Sequence, residues 1–551
     1  MKHRKPTHHK YIIPLVASRK KQQALSYLLF SLFLCTCTPR NQDMKGTEAT
    51  PTDYARVTFY EIFVQSFADS NGDGIGDIPG MTSKLDYLAD LGISAIWLMP
   101  INPSPSYHKY DVTDYRSIHP DYGTIEDFKT FIREAHARNI RVIMDLVINH
   151  SASSHPWFLN ARTGPDARYR DYYVWAERED IIEELSKKTT DFDSDNLRQW
   201  HPITEENLTS PHYYGYFYGG MPDLNYDNPE VREAFYAIGR FWLEEVGVDG
   251  FRLDAAKHIF TDDRAADSQA FWKEFRSEMQ HANPNVYLIG EVWSDAKSAA
   301  PYAQGFTALF NFDRAFSILE SLKKGRTTVA NIDGHGYKVD QNVSIASVIN
   351  ETLPLFQSYN PDFLEASFLS NHDQNRVGSM LDGNIAQMKQ AAALLFTLPG
   401  TPYLYYGEEI GMQGEKPDEH IREPMLWGGS DPLQTRWIQP KHADSIQPVS
   451  VQTDDPKSIF QTYKQLIRLR KLPALAIGTI QDLPTATDRL IAFTRTHQGK
   501  TIHVIHNISS ASVTIPLNQL PAIKESLWSL GKVNSSPTQV VLGANASLVY
   551  E

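Results

Sequence analysis

From Tyr54 onward the chain alternates short β-rich runs with longer segments of helical periodicity, and this alternation limits the fold more than any other feature of the sequence. The runs are "VTFYEIFVQSF", "ISAIWLMP", "IRVIMDLVINH", "VDGFRLDA", "VYLIGEVW", "ALFNFD", "EASFLSNHD" and "TPYLYYGEE". Strands joined through helices are expected to lie parallel, with the helices packed outside the sheet. Eight such units predict a closed (β/α)₈ barrel, an α/β fold whose functional groups gather at the C-terminal strand ends and in the loops that follow. Polar residues do gather there: Asp145, Asn149 and His150 close the third run, Arg252 and Asp254 the fourth, Glu291 the fifth, and His372 and Asp373 the seventh.

A chain of 551 residues exceeds one ordinary core, so further pieces are expected around the barrel. The barrel is assigned to residues 54–150 and 223–476. Between them, the stretch 151–222 is rich in Tyr, Trp, His and Pro and is far longer than a usual βα loop, which predicts a small excursion domain beside the site. "FQTYKQLIRLRKLPAL" reads as the last barrel helix. After it, "RLIAFTRTHQGKTIHVIHNIS" and "ASVTIPL" alternate like antiparallel strands with turn signals, which predicts a C-terminal β-sandwich over 477–551. A hydrophobic fraction of 41% with 22% charged residues belongs to a globular protein, and the net charge of −13 argues against a nucleic-acid partner.

Both cysteines lie near the N-terminus, at Cys35 and Cys37, so no disulfide and no Cys-ligated zinc site can form within the globular part. Arg19, Lys20 and Lys21 precede "ALSYLLFSLFLCTC", a basic segment followed by an apolar run too short for a comfortable span, which is the signature of an export signal. Its ending, Leu34-Cys35-Thr36-Cys37, resembles a bacterial lipoprotein box, in which Cys37 would be lipidated and anchor the mature chain to a membrane of the cell envelope. A plain secretory signal or an uncleaved anchor is the alternative. Residues 38–53 are polar and turn-rich, a short flexible tether.

The chemistry centres on "DGFRLDAAKH", Asp249 to His258. In a strand, residues i and i+2 face the same way, so Arg252 and Asp254 point to one side, and the arginine favours the ionised carboxylate. Three acids, Asp254, Glu291 and Asp373, stand at the ends of three different strands. Any one of them alone would be a solvated rim. Glycoside hydrolysis with retention needs one ionised carboxylate as nucleophile and one protonated carboxyl as acid, about 5 Å apart. Asp254 suits the first role. Glu291, between "VYLIG" and Val292-Trp293, has an apolar setting that raises its pKa and suits the second.

"DLVINH", "GFRLDAAKH", "EVW", "SNHD" and the linking "MPDLN" occur in the order and spacing of the α-amylase family of glycoside hydrolases, which this chain resembles over nearly everything after the tether. The resemblance implies Asp254 as nucleophile, Glu291 as general acid/base and Asp373 as the third acid, which binds sugar hydroxyls. It implies that His150 and His372 bond the sugar on the non-reducing side of the cut and that Tyr110 stacks on it, with His108 and Asp111 nearby. Lys109 stands where the family commonly has glycine. Lys257 and His258 resemble the pair that contacts sugar beyond the cut in enzymes acting on α-1,4 chains. Ala255, where relatives that cut α-1,6 bonds tend to carry valine, favours α-1,4 cleavage, and "MPDLN" resembles the motif of neopullulanase-like and intermediate α-amylases.

After the first run comes "DSNGDGIGD", Asp69 to Asp77. Asp69, Asn71, Asp73 and Asp77, with the Ile75 carbonyl, present oxygen ligands of the kind hard Ca²⁺ prefers, while an EF-hand would continue into a Glu and a helix. A metal-free, Asx-rich turn is the alternative. Family relatives carry Ca²⁺ here, and a second family calcium site would use Asn149; both ions would be structural. The expected activity is therefore that of a monomeric, lipid-anchored α-amylase cutting internal α-1,4 bonds of starch or maltodextrin. An exo-acting α-glucosidase, a neopullulanase or cyclomaltodextrinase, or a transglycosylase of the same family is the near alternative. A non-catalytic glycan-binding surface protein is the remote one, against which the intact set of acids with Arg252 counts.

Overall fold

A computed structural model describes residues 51–187, 197–204, 211–333, 336–341, 343–428, 430–485 and 487–551. The export signal, Cys37 and most of the tether lie outside the described residues. The remaining three tether residues form, with Tyr54, a turn of helix Pro51–Tyr54.

Eight parallel strands close into a barrel: β1 (Phe59–Ile62), β2 (Ala95–Leu98), β3 (Arg141–Leu146), β4 (Gly250–Leu253), β5 (Tyr287–Gly290), β6 (Ala308–Phe310), β7 (Leu364–Ser367) and β8 (Thr401–Tyr405). Seven lie within their runs and β7 begins one residue before its own, at Leu364, while β8 pairs back onto β1 in parallel, Phe59 against Tyr403. The runs overreach the strands. In the first, pairing with β2 ends at Ile62, and Val64–Phe67 turns into a short helix; in the last, Glu408–Ile410 is a 3₁₀ turn. Both changes occur where the chain has left the barrel rim and has no neighbouring strand to continue the ladder.

The period of two along each strand decides what fills the barrel. Phe59, Trp97, Ile143, Tyr287, Ile289, Phe310, Ala366 and Tyr403 form one apolar cluster. The Phe59 and Tyr403 rings stack at 4.3 Å, and the hydroxyls of Tyr287 and Tyr403 share a 2.9 Å hydrogen bond. Gly250 is required beside this plug, since a Cβ there would lie 1.9 Å from the Tyr287 carbonyl oxygen. One step of two residues further up the strands, the same inward face carries Glu61 after Phe59, Asp145 after Ile143, Arg252 after Gly250 and Glu291 after Ile289. The floor is packed with buried side chains, and the charges begin at the mouth.

The excursion after β3 carries a small antiparallel sheet, Trp175–Ala176, His212–Tyr214 and Trp200–Pro202. Its exit is stitched to its entry: Asp223 bridges His150, Leu224 bridges Tyr173, and the Leu224 N–H donates to the Asn149 carbonyl at 3.0 Å. "MPDLN" therefore closes the excursion against the end of β3. Beyond helices Ile459–Arg470 and Pro473–Ile477, a five-stranded and a three-stranded antiparallel sheet enclose their own core of Leu490, Ile505, Val540, Leu542 and Leu548.

Candidate active site

One guanidinium organises the mouth of the barrel. Arg252 Nη1 donates to Asp254 Oδ1 at 2.6 Å and to Asp145 Oδ1 at 2.9 Å, while Nη2 lies 2.9 Å from Glu291 Oε2. The guanidinium also sits 5.4 Å above the Trp97 ring, which walls it from below. Arg252 is sealed, whereas the side chains of Asp254, Glu291 and Asp373 are 10%, 17% and 40% exposed. The three acids can meet a substrate; the arginine acts only through them. Immediately after Asp254, Ala255 takes the left-handed φ of 47°, and its N–H donates to Glu291 Oε2 at 3.2 Å. The Ala255 hydrogen bond and the Arg252 ion pair thus both fall on one Glu291 oxygen, leaving the other for a proton.

A single cation cannot neutralise three carboxylates. Burial pushes the Glu291 carboxyl above its ordinary value; Arg252 pulls it down, and Asp254 and Asp373 push it up again. Burial also lifts Asp145 to about 7 against the pull of Arg252. Asp373 behaves oppositely: burial would raise it, but the His372 ring and Arg422 outweigh burial and hold its carboxyl well below the usual range. His372 lies between two acids, with Nδ1 2.5 Å from Glu61 Oε1 and Nε2 3.0 Å from Asp373 Oδ2. Burial opposes its charge, yet Asp373 and Glu61 prevail and push it up to about 10. His372 is an imidazolium that fixes Asp373 as an anion. Its Nε2 also meets the Tyr110 hydroxyl at 2.6 Å, and that hydroxyl donates to Asp145 Oδ2 at 3.1 Å.

These groups line a cleft of 560 Å³. His108, Tyr110, Asp373, Asp418 and Arg422 come from the loops after β2, β7 and β8, and Lys257, His258, Trp293 and Asp295 from those after β4 and β5, which also carry Asp254 and Glu291. His150 reaches in from the end of the run that carries β3; burial lowers the pKa of its ring, and its Nε2 has no hydrogen-bond partner among the described residues. Lys257 pairs with Asp262 at 3.2 Å, and the His258 ring stacks 3.9 Å from Tyr216 of the excursion. Three residues expected at the substrate do not line the cleft, and Arg252, sealed beneath the acids, is the first. His372 is sealed behind Tyr110, and Asp111 accepts hydrogen bonds from Ser104 at 2.5 Å and from Ser106, which fixes the turn that presents His108 and Tyr110. Lys109 in that turn has a φ of 67°, the conformation for which glycine is suited, and its Nζ ties back to the Ser106 carbonyl at 2.9 Å.

Arg422 carries no sequence signal, yet it is central. Its Nη2 donates to Asp373 Oδ1 and Asp418 Oδ2, each at 3.0 Å, and its Nε to the His372 carbonyl at 2.9 Å. The arginine lies in an irregular stretch after β8, where no periodicity marks it. Only the charge balance of an isolated Asp373 would have asked for a cation there.

In the loop after β1, Asp69 accepts from the N–H groups of Asn71, Gly72 and Gly74, Asn71 from Asp73, and Asp73 from Ile75, at 2.7–3.1 Å. Asp77 accepts from Ser70 at 2.9 Å and Gly80 at 2.6 Å. Gly72 and Gly74 take φ of 85° and 94°, which lets the backbone curl around the side-chain oxygens. Asp69 and Asp77 are buried, and among the described residues no cationic side chain pairs with either. That donor set fits a hard cation. Among the described residues, however, no group of three or more His, Cys, Asp or Glu side chains is gathered closely enough to hold a metal. Beyond β3, Asn149 Oδ1 is buried without a partner among the described residues, and its Nδ2 donates to Asp223 Oδ2 at 3.3 Å. Asn149 Oδ1 and the two Asp223 oxygens are fewer than the six to eight Ca²⁺ takes.

Residues 61–478 match the model of the α-amylase catalytic domain, and 490–549 that of the C-terminal domain of the α-amylase SusG. The chain is 40% identical to α-amylase 3 of Dictyoglomus thermophilum, over 90% of this chain and 93% of that protein. It is 34% identical to a 4-α-glucanotransferase of Thermotoga neapolitana, over 82% and 96%. The crystal structure of an α-amylase from H. orenii superposes with a TM-score of 0.77 at 38% identity, covering 90% of this chain and 99% of that one. With two carboxyls bridged by one guanidinium at a barrel mouth, the chain belongs to the α-amylase family and is a retaining glycoside hydrolase.

Proposed function

We propose that this enzyme hydrolyses internal α-1,4-glucosidic bonds of starch and maltodextrin through a covalent glycosyl-Asp254 intermediate. The observation that carries the proposal is the Arg252 bridge between Asp254 and Glu291, set midway along a cleft that extends to Asp418 and Arg422 on one side and Lys257 and His258 on the other. A chain laid there has room for sugars on both sides of the cut. Asp254 attacks the anomeric carbon as Glu291 gives its proton to the departing glycosidic oxygen. Glu291, now a carboxylate, takes a proton from water, whose oxygen displaces Asp254 and restores both groups. The elevated Glu291 proton affinity suits the first step, and Asp373, held anionic by His372 and Arg422, suits the binding of sugar hydroxyls.

Amylose and end-blocked maltooligosaccharides test this reading. Mixed maltooligosaccharides and cleavage of the blocked substrates support internal action; glucose alone, with blocked substrates untouched, points to an exo-acting glucosidase. Transfer is a second reading, favoured by the relative named as a 4-α-glucanotransferase, because the same intermediate can pass to a sugar hydroxyl.

Ca²⁺ at Asp69, Asn71, Asp73, Asp77 and the Ile75 carbonyl is proposed as a structural ion, supported by the two buried carboxylates that lack a cationic partner. The proposed enzyme is monomeric, exported and tied to the cell envelope through a lipid on Cys37. Fatty-acid labelling lost in Cys37→Ala supports the anchor, and a label that persists in that variant refutes it.

A further inference from the structure

Between β6 and β7 the chain forms helix Phe312–Lys324 and then an antiparallel hairpin, strands Thr328–Asp333 and Gly336–Gln341. The first strand has one edge on its partner strand and the other on the helix. Asp313 Oδ1 accepts from the Ile332 N–H at 2.6 Å, Ser317 Oγ from Ala330 at 2.9 Å, and Ser321 Oγ from Thr328 at 2.9 Å. Four helical residues rise about 6 Å and two strand residues about 6.7 Å, so side chains at i, i+4 and i+8 meet alternate N–H groups like teeth of a comb. The same helix seats Trp293, whose ring lies 4.3 Å from Phe312 and whose indole N–H is buried without a hydrogen-bond partner among the described residues.

This fastening places Ile332 and Asp333 in the wall of the catalytic cleft, with Trp293 and Asp295. The side follows from the neighbour. Glu291 must reach the glycosidic oxygen of the departing segment, and the loop after β6, which lies beside β5 in the barrel, stands next to Glu291. Ile332 is buried and offers an apolar surface, whereas Asp333 is exposed and pairs with Lys338 across the hairpin at 2.5 Å, with further lone pairs for sugar hydroxyls.

We propose that Ile332 and Asp333 form a binding wall for the reducing-side segment of the substrate and for an acceptor sugar, and that Asp313, Ser317 and Ser321 are its positioning residues. The inference rests on the retaining mechanism and holds whether the enzyme acts internally or from chain ends. The wall therefore sets where a maltooligosaccharide is cut and how the glycosyl-enzyme divides between water and sugar.

α-Maltosyl fluoride separates the wall from the catalytic centre, because fluoride leaves without occupying a sugar position on that side. In Asp333→Ala and Ile332→Ala, kcat/KM for the fluoride should fall less than kcat/KM for maltoheptaose. The cleavage pattern of maltoheptaose and the partition of the intermediate between water and added maltose should each shift about threefold or more, the size of one lost hydrogen bond. Asp313→Ala should shift both in the same direction, and Asp313→Asn, which keeps an accepting oxygen, should restore them. Unchanged pattern and partition in Asp333→Ala and Ile332→Ala would overturn the wall. Turnover of the fluoride falling in step with that of maltoheptaose would reduce it to a structural effect. A wild-type pattern in Asp313→Ala would remove the comb from the account. Asp333 lies on the surface, so its variant keeps the fold. Failure of internal cleavage on blocked substrates would leave this test standing.

Discussion

Replacing Arg252 with lysine keeps one positive charge and removes one geometry. The guanidinium serves three carboxylates from two nitrogens: Nη1 reaches Asp254 at 2.6 Å and Asp145 at 2.9 Å, and Nη2 reaches Glu291 at 2.9 Å. A lysine ammonium placed near the Nη1 position retains the first two contacts and gives up the third, along with the flat face over Trp97. One charge-assisted hydrogen bond is worth about 1.5–3 kcal/mol, which converts to roughly 10- to 150-fold in kcat/KM. Arg252→Met removes the guanidinium shared by the three carboxylates, costs about 3–5 kcal/mol of stability, and should lower kcat/KM more than the lysine variant does. Since Arg252 is sealed from the cleft, the loss should appear in kcat with KM nearly unchanged. Initial rates on maltoheptaose and on α-maltosyl fluoride measure both variants, and thermal unfolding controls for the fold. A lysine variant within threefold of wild type, or one as impaired as Arg252→Met, would refute the idea that the fork itself sets the two carboxyls.

Three further outcomes are expected. Glu291→Gln should lower kcat/KM on maltoheptaose at least 10³-fold while sparing the first step on α-maltosyl fluoride, which needs no proton; in wild type the alkaline limb for maltoheptaose should lie above the ordinary glutamate range, because the raised pKa preserves the acid form to higher pH. His372, raised from 6.5 to about 10, contributes stability that is full below pH 6.5 and is lost as pH rises towards 10, at about 1.4 kcal/mol per pH unit; Glu61→Gln should flatten that decline in denaturant midpoints between pH 7 and 9.5. Chelation should lower the unfolding temperature, and Ca²⁺ at 100 times its Kd should restore about 2.7 kcal/mol, an effect absent in Asp69→Ala; a wild-type melting curve indifferent to chelator and Ca²⁺ would exclude the ion.

Legibility followed how local each signal was. The barrel was readable because alternation of period two and helical spacing repeat eight times, and Asp254, Glu291 and Asp373 were readable because each closes such a run. Strand-end position alone does not make an acid functional: Glu409 ends the eighth run, but its carboxylate is buried against the Tyr60 hydroxyl at 2.7 Å. What escaped depends on pairs distant in sequence. Glu61 supports His372 from 311 positions away, and Arg422 meets Asp373 from an irregular loop. His372 and Asp111 were expected to touch sugar, yet one is sealed behind Tyr110 and the other is spent on two serines, distinctions that only packing makes. The Asp313, Ser317 and Ser321 comb carries no signature, because two serines and an aspartate at helical spacing read as an ordinary polar stripe.

The central claim is that Asp254 forms the covalent bond. Incubation with a slowly released fluorinated glycosyl fluoride, followed by proteolysis and mass spectrometry, tests it directly. The account predicts one glycosyl adduct, on the peptide containing "GFRLDAAK" and localised to Asp254, that accumulates in wild type and is absent in Asp254→Asn. An adduct on Glu291 or Asp373, or turnover with inverted product and no adduct, would contradict it.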